Sequence, residues 1–174
     1  IVEDLLNFAR KSGTLLSDVN INPALEAVNS VVRNQLEQDN ILIRTHSDDH
    51  LPEIAGDTEK LKQVFMNMLI NARQAIGKNG TITVVTAVDA DGQSVMITFK
   101  DDGPGIEPDI MDKIFDPFFT TKPTGQGTGL GLSVSYGIIE DHQGDIQVSS
   151  EVGRGTEFRI RLPMGKQTTK QDAM

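Results

Sequence analysis

Between Lys100 and Leu132 the chain gathers its glycines into two clusters, and few folds accept that in mid-domain. The first reads Asp101-Asp102-Gly103-Pro104-Gly105-Ile106, the second Gly125-Gln126-Gly127-Thr128-Gly129-Leu130-Gly131-Leu132. Between them, Ile114-Phe115-Asp116-Pro117-Phe118-Phe119-Thr120-Thr121-Lys122 forms an apolar hinge that ends in a lone lysine. Glycine reaches positive φ at little steric cost, so such clusters let backbone N–H groups converge on an anion. A helix expected from Leu130 to His142 adds the partial positive charge of its N-terminus. The stretch reads as a wall and a lid around a nucleotide.

The rest of the chain narrows the partners. Its 174 residues suffice for one domain with its own core. Sixteen Lys+Arg against 25 Asp+Glu leave a net charge of -9, which argues against a nucleic-acid groove. An acidic chain can still hold ATP if it brings magnesium and a few local cations. With no cysteine, disulfides and thiolate metal sites are excluded. No apolar run reaches membrane-spanning length, so no membrane contact by this domain is expected. A cytoplasmic location is expected for the domain, whether or not its parent protein is anchored in a membrane. The chain opens at Ile1 inside an apparent helix and reads as a fragment of something longer.

Periodicity supplies the elements. Ile1, Leu5, Phe8 and Ala9 fall at helical spacing over Ile1 to Lys11. Asn22-Pro23 reads as a cap followed by proline at the first helical position, and Leu25, Val28, Val32 and Leu36 give the buried stripe. Ile41 to Thr45 is a short strand. A helix over Thr58 to Ile76, capped by Asp57, buries Leu61, Val64, Phe65, Met68, Leu69, Ala72, Ala75 and Ile76. Gln63, Asn67, Asn71 and Gln74 form a second stripe beside that core face. They are either a solvated face or amides aimed into a polar cavity. Thr81 to Thr86 and Val95 to Asp101 are strands of a hairpin turned at Asp91-Gly92. Asp145 to Ser150 and Thr156 to Leu162 are two more, joined by Gly153-Arg154-Gly155 and ended by Pro163. These elements predict an α+β, two-layer sandwich, its mixed and mostly antiparallel sheet covered on one face by helices.

Particular side chains then suggest chemistry. Val95, Ile97 and Phe99 share one face of their strand with Asp101, and a carboxylate ending a core-facing row needs a donor. Asp101 is either a turn residue before Gly103 or an acceptor for an exocyclic amino group, which selects adenine over guanine. Asp102 points the other way, so the two are not an acid/base pair. Gly103 and Gly105 would let the backbone pass close to the base, with Ile106 covering one of its faces. Asn71 can offer an amide oxygen to magnesium, which keeps several waters and needs few protein ligands. Asn67, one turn earlier, would support it or touch phosphate. Lys122 is either a solvated lysine or a cation for the terminal phosphate. Phe115, Phe118 and Phe119 are expected to seat the lid hinge on the core.

Taken together, these motifs resemble the GHKL superfamily, most nearly the catalytic ATP-binding domain of bacterial two-component sensor histidine kinases. The likeness spans about Asn22 to Pro163. Gln63 to Ala72 resembles its N box, Asp101 to Ile106 and Gly127 to Leu132 two glycine boxes, Phe115 to Lys122 the F box, and Gly153 to Thr156 the last glycine box. The resemblance implies that Asn71 binds Mg2+, that Asp101 holds the adenine amino group with Thr156 joining through water, and that Gly127 to Leu132 wraps the phosphates. The candidate nucleotide contacts are Asn67, Asn71 and Gln74; Asp101, Gly103, Gly105 and Ile106; Phe119, Thr121 and Lys122; Gly127, Thr128, Gly129, Leu130, Gly131 and Leu132; and Thr156. Asn67 and Lys122 are the candidate catalytic residues.

In hydrolysing members of that superfamily a glutamate four residues before the magnesium asparagine activates water. Asn67 stands there and cannot act as a base, which favours a kinase. The implied acceptor is a histidine on an upstream helical hairpin, to which residues 1–13 would belong, with 14–163 as the catalytic domain and 164–174 as a flexible tail. A response regulator is the implied downstream partner. His46, His50 and His142 are each expected to be structural or superficial. An anti-sigma-factor serine kinase and a nucleotide sensor that transfers nothing are the competing readings.

Overall fold

The computed structural model describes residues 17–122 and 127–164. The helix expected over Ile1 to Lys11, the tail beyond Met164, and Gly125-Gln126 lie outside them. Elements follow in the order β1 (Ser17–Val19), α1 (Ile21–Gln38), β2 (Ile41–Ser47), β3 (Ile54–Gly56), α2 (Thr58–Ile76), β4 (Gly80–Val88), β5 (Ser94–Asp101), a 3-10 helix (Pro108–Lys113), α3 (Gly131–Asp141), β6 (Asp145–Glu151) and β7 (Gly155–Pro163).

The main sheet has the order β2-β4-β5-β7-β6, with β2 and β4 parallel and every other neighbour antiparallel. Alternation along β4, β5 and β7 turns Ile82, Val84, Val95, Ile97, Phe99, Phe158, Ile160 and Leu162 inward. The helices cover that face, and Phe65 of α2 meets Phe99 with ring centroids 6.0 Å apart. Each such side chain, fully buried, contributes about 1.5–3 kcal/mol. The expected α+β sandwich is the fold observed.

Local chemistry sets the position of α2. Asp57 Oδ1 accepts from Glu59 N at 3.0 Å and Lys60 N at 3.1 Å, the predicted cap. At the other end Gly77 adopts φ 74, and Arg73 reaches back to Gln35 Oε1 of α1 at 3.0 Å and to Asp39 Oδ2, just past its end, at 2.6 Å. The cap predicted at Asn22 is not one, because α1 already begins at Ile21. Asn22 instead donates to the Asp48 carbonyl at 2.8 Å and accepts from Thr86 Oγ1 at 2.9 Å, bracketing the helix to the sheet. Pro23 is tolerated because the first-turn N–H groups lack helical partners anyway. The small sheet of β1 and β3, with Val19 opposite Ile54, is absent from the sequence reading, as three-residue strands carry too little period to detect.

His142, at the end of α3, is buried and structural. Its Nδ1 donates to the Ile138 carbonyl at 2.7 Å, and Nε2 accepts the Asp57 N–H at 2.9 Å. That second bond ties α3 to the start of α2. His142→Phe keeps the ring but orphans the Asp57 donor, so it should cost about 1–3 kcal/mol in urea unfolding at unchanged m value. A loss under about 0.5 kcal/mol would mean the bond contributes nothing.

Candidate functional site

β5 delivers Asp101 to the floor of a cavity of about 960 Å³, where it is only 5% exposed. Its Oδ1 accepts from Gly103 N at 2.9 Å and Thr156 N at 3.3 Å. No hydrogen bond among the described residues engages Oδ2. Burial is the larger influence on its pKa and raises it above 3.8; the bonds from Gly103 and Thr156 pull it down, and neighbouring Asp102 pushes it up slightly. Asp102 is exposed and accepts the Thr81 N–H at 2.8 Å, facing away as expected.

Across the cavity, α2 presents Asn67, Asn71 and Gln74, while Gln63 of the same stripe is exposed and outside the lining. The two readings of that stripe therefore divide along its length. Asn71 buries its Nδ2 with no partner among the described residues. An unsatisfied buried amide costs about 1–3 kcal/mol, and either end of an amide can be turned to a ligand. Asn67 donates to the Gly131 carbonyl at 3.2 Å and to Ser135 Oγ at 3.1 Å, so its amide nitrogen braces α3.

That brace aims the start of α3 at the cavity. No side chain caps this helix end, and Thr128, Gly129, Leu130, Gly131 and Leu132 line the space in front of it. Uncapped N–H groups with a helix dipole behind them suit an anion. Gly127 lines the cavity too, against Thr120 and Lys122. In the lid, Phe119 and Thr121 face the same space. Lys122 joins them and donates to Gln74 Oε1; partial burial lowers its pKa.

Phe115 seats the hinge as predicted, 5.4 Å from the Tyr136 ring and 6.5 Å from Phe158. Phe118 does not. Its backbone is left-handed (φ 67) and lies so close to Gly129 that a Cβ there would meet Phe118 C at 2.4 Å. The side chain is 65% exposed, on the lining of the cavity rather than in the core.

Ile106, Gly105 and Thr156 complete the wall beside Asp101. Gly103 stands behind it rather than in the lining, where a Cβ would meet Asp101 Oδ1 at 2.8 Å. Gly105 (φ 79) owes its identity to the β6–β7 turn, since a Cβ would lie 2.4 Å from the Glu151 carbonyl oxygen. Gly153 N donates to the Pro104 carbonyl at 2.7 Å and joins the two turns. Ser150 is the residue the motifs miss: its hydroxyl contacts Ile106, Gly155 and Thr156. An isolated serine on a strand carries no sequence signal for this.

Comparison with known proteins gives the site its relatives. The family model described as histidine kinase-, DNA gyrase B-, and HSP90-like ATPase matches residues 56–166, which include every residue lining the cavity. The sensor histidine kinase ZraS of Escherichia coli (strain K12) is 40% identical over 164 residues, 94% of this chain and 34% of its own. The chain thus spans about a third of the length of such curated relatives. The catalytic domain of histidine kinase ThkA, solved without nucleotide, superposes with a TM-score of 0.76 at 33% identity, over 85% of this chain and 95% of that one. Histidine kinase ThkA in complex with response regulator protein TrrA gives 0.79 at 27% identity, over 97% of this chain and 47% of that one. A family match over more than half of the chain, and a solved catalytic domain matched over nearly its whole length, place this chain in the histidine kinase-, DNA gyrase B- and HSP90-like ATPase family, among its histidine-kinase catalytic domains.

Proposed function

We propose that this chain holds Mg-ATP and presents the γ-phosphoryl group to a histidine on a helical hairpin of its parent protein or of a dimer partner, as one step of two-component signalling. The observation that carries this reading is that Asp101 and Asn71, on different elements, open onto one cavity that the start of α3 and the lid also line. Asp101 Oδ2 accepts from the adenine amino group, Thr156 joins it, and Ile106 covers the base. The first turn of α3 with Gly127 to Gly131 surrounds the phosphates, and Lys122 exchanges Gln74 for the terminal one. Phe119, Thr121, Leu130 and Leu132 close the walls.

The Asn71 amide nitrogen is buried without a partner among the described residues, and with the amide turned over its oxygen would serve there as a magnesium ligand. Among the described residues no cluster of three or more His, Cys, Asp or Glu could hold a metal unaided, so phosphate oxygens and water would complete its shell. Bound there, the ion would neutralise charge on the phosphates as the phosphoryl group leaves. Asn67 has no basic group and is committed to Gly131 and Ser135, which suits a site that protects ATP from water until an acceptor arrives.

We assign residues 14–163 to the catalytic domain and 1–13, which lie outside the described residues, to the acceptor hairpin. A response regulator receives the phosphoryl group, a reading supported by the ThkA complex with its regulator. No helix among the described residues is long and apolar enough to cross a membrane. We place the domain in the cytoplasm.

Asp101→Asn keeps an oxygen for Gly103 and Thr156 but turns the free acceptor into a donor. It should lower ATP affinity roughly 10- to 100-fold and abolish preference over GTP, measured by calorimetry. Its stability should move the other way. Because the folded pKa lies above 3.8, the stabilisation linked to this proton is present below 3.8 and lost as pH rises through the raised value. Asp101→Asn should thus be as stable as the parent chain or more so at pH 7, and that gap should narrow on acidification.

Asn71→Ala should retain ATP binding in EDTA but lose about tenfold of the gain conferred by magnesium. Equal magnesium dependence in both proteins would remove Asn71 as the metal ligand.

The chain incubated alone with labelled ATP should take up no label, since His46 and His50 are exposed on and just after β2 and His142 is buried, all outside the cavity lining. A separately produced hairpin domain should restore acid-labile phosphohistidine. Label on this chain alone would overturn the assignment of the acceptor.

A further inference from the structure

Ser150 in β6, Thr156 in β7 and Asp101 in β5 lie directly across from one another on adjacent strands. The Ser150 hydroxyl makes three contacts. Its oxygen accepts the Ile106 N–H at 2.8 Å, it donates to the Gly155 carbonyl at 2.9 Å, and it lies 3.0 Å from Thr156 Oγ1.

A serine hydroxyl has one hydrogen and two accepting lone pairs. A carbonyl only accepts, so the single hydrogen belongs to Gly155. A backbone N–H only donates, so one lone pair belongs to Ile106. What remains for Thr156 is a lone pair, and Thr156 must be the donor of that contact. The Thr156 hydrogen is thereby committed to β6, and the hydroxyl keeps only lone pairs for the cavity that Thr156 lines. Beside it Asp101, its Oδ1 held by the Thr156 and Gly103 N–H groups, offers Oδ2. Two acceptors side by side match the two hydrogens of an exocyclic amino group and oppose an oxo group.

We propose that Ser150 is a positioning residue for base selection. By fixing the direction of the Thr156 O–H it makes that hydroxyl an acceptor and sharpens the preference for a 6-aminopurine over a 6-oxopurine nucleotide. Without Ser150 the threonine hydroxyl rotates and can donate to an oxo group, as a free hydroxyl serves either role. The inference rests on the base pocket proposed above. A serine that merely stapled the turn would act differently, weakening 6-amino and 6-oxo nucleotides alike.

The test measures dissociation constants of ATP and ITP for the 174-residue chain by calorimetry, with thermal unfolding to verify folding. Ser150→Ala should lower the ATP-over-ITP preference about tenfold, and Ser150→Thr, which keeps the hydroxyl, should restore it. Thr156→Val should remove the same share of preference. Adding Ser150→Ala to Thr156→Val should then change the ratio no further, since Ser150 acts only through that hydroxyl. If Ser150→Ala fails to fold, Ser150→Gly, which also lacks the hydroxyl, reads the same ratio. A ratio within roughly twofold of the parent chain in Ser150→Ala or Ser150→Gly would overturn the proposal. So would a further change on top of Thr156→Val. Failure of the pocket itself reads separately, as a parent chain with no preference for ATP or an Asp101→Asn variant that retains one.

Discussion

A carboxylate sits at the end of a core-facing row of apolar side chains, 5% exposed, with one oxygen held by two backbone N–H groups. Burying Asp101 raises its pKa, so its ionised form is uncomfortable there unless donors converge on it. Much of the adjoining backbone follows from that need. The chain must turn at Gly103 to point an N–H back at Oδ1, and β7 must begin close enough for Thr156 N to join. Gly155, at φ 100, is the consequence: any Cβ there would fall 1.9 Å from the Asp101 carbonyl oxygen. An apolar residue would remove the whole difficulty, which is why a carboxylate kept at this point speaks for a ligand rather than for stability.

The opposite wall depends on two polar ties between α2 and α3. Asn67 holds the start of α3 through Gly131 and Ser135, and His142 holds its end to the cap of α2 through Asp57. Helices packed only by apolar contact can slide by fractions of an ångström; hydrogen bonds at both ends set register as well as distance. The helix that carries Asn71 and the helix end that faces the cavity are therefore fixed relative to each other before anything binds. A geometry set in advance spares the binding step the entropy of arranging it.

What the sequence made legible is local. Asp57 caps α2 because a carboxylate two residues before Glu59 needs no distant partner. Leu61 to Ala72 bury on period, and Asp101 betrays itself by sharing a face with Val95, Ile97 and Phe99. Features that needed the assembled fold stayed hidden. Asn22 looks like a cap, yet its partners are Asp48 and Thr86, and no spacing rule reaches so far along the chain. Phe118 looks like core, yet its backbone is left-handed beside Gly129 and its side chain is exposed on the cavity lining. Ser150 has no motif at all; its role appears only once β5, β7 and β6 lie side by side. Gly105 and Gly155 were visible as turn residues, but the neighbours that exclude a side chain there were not.

The lid differs from the walls in the character of its contacts. Lys122 reaches a neutral amide on Gln74, although partial burial disfavours its charge. A neutral acceptor offsets little of that desolvation, whereas an anion within reach would offset most of it and raise the pKa again. The amine thus sits beside a weaker partner than its surroundings can repay. Exchanging an amide for a phosphate oxygen alters one side-chain contact and leaves Asp101, Asn67 and His142 untouched. On the proposed reading, a lysine held by a neutral amide, with burial working against its charge, is what a nucleotide phosphate would engage in the lid.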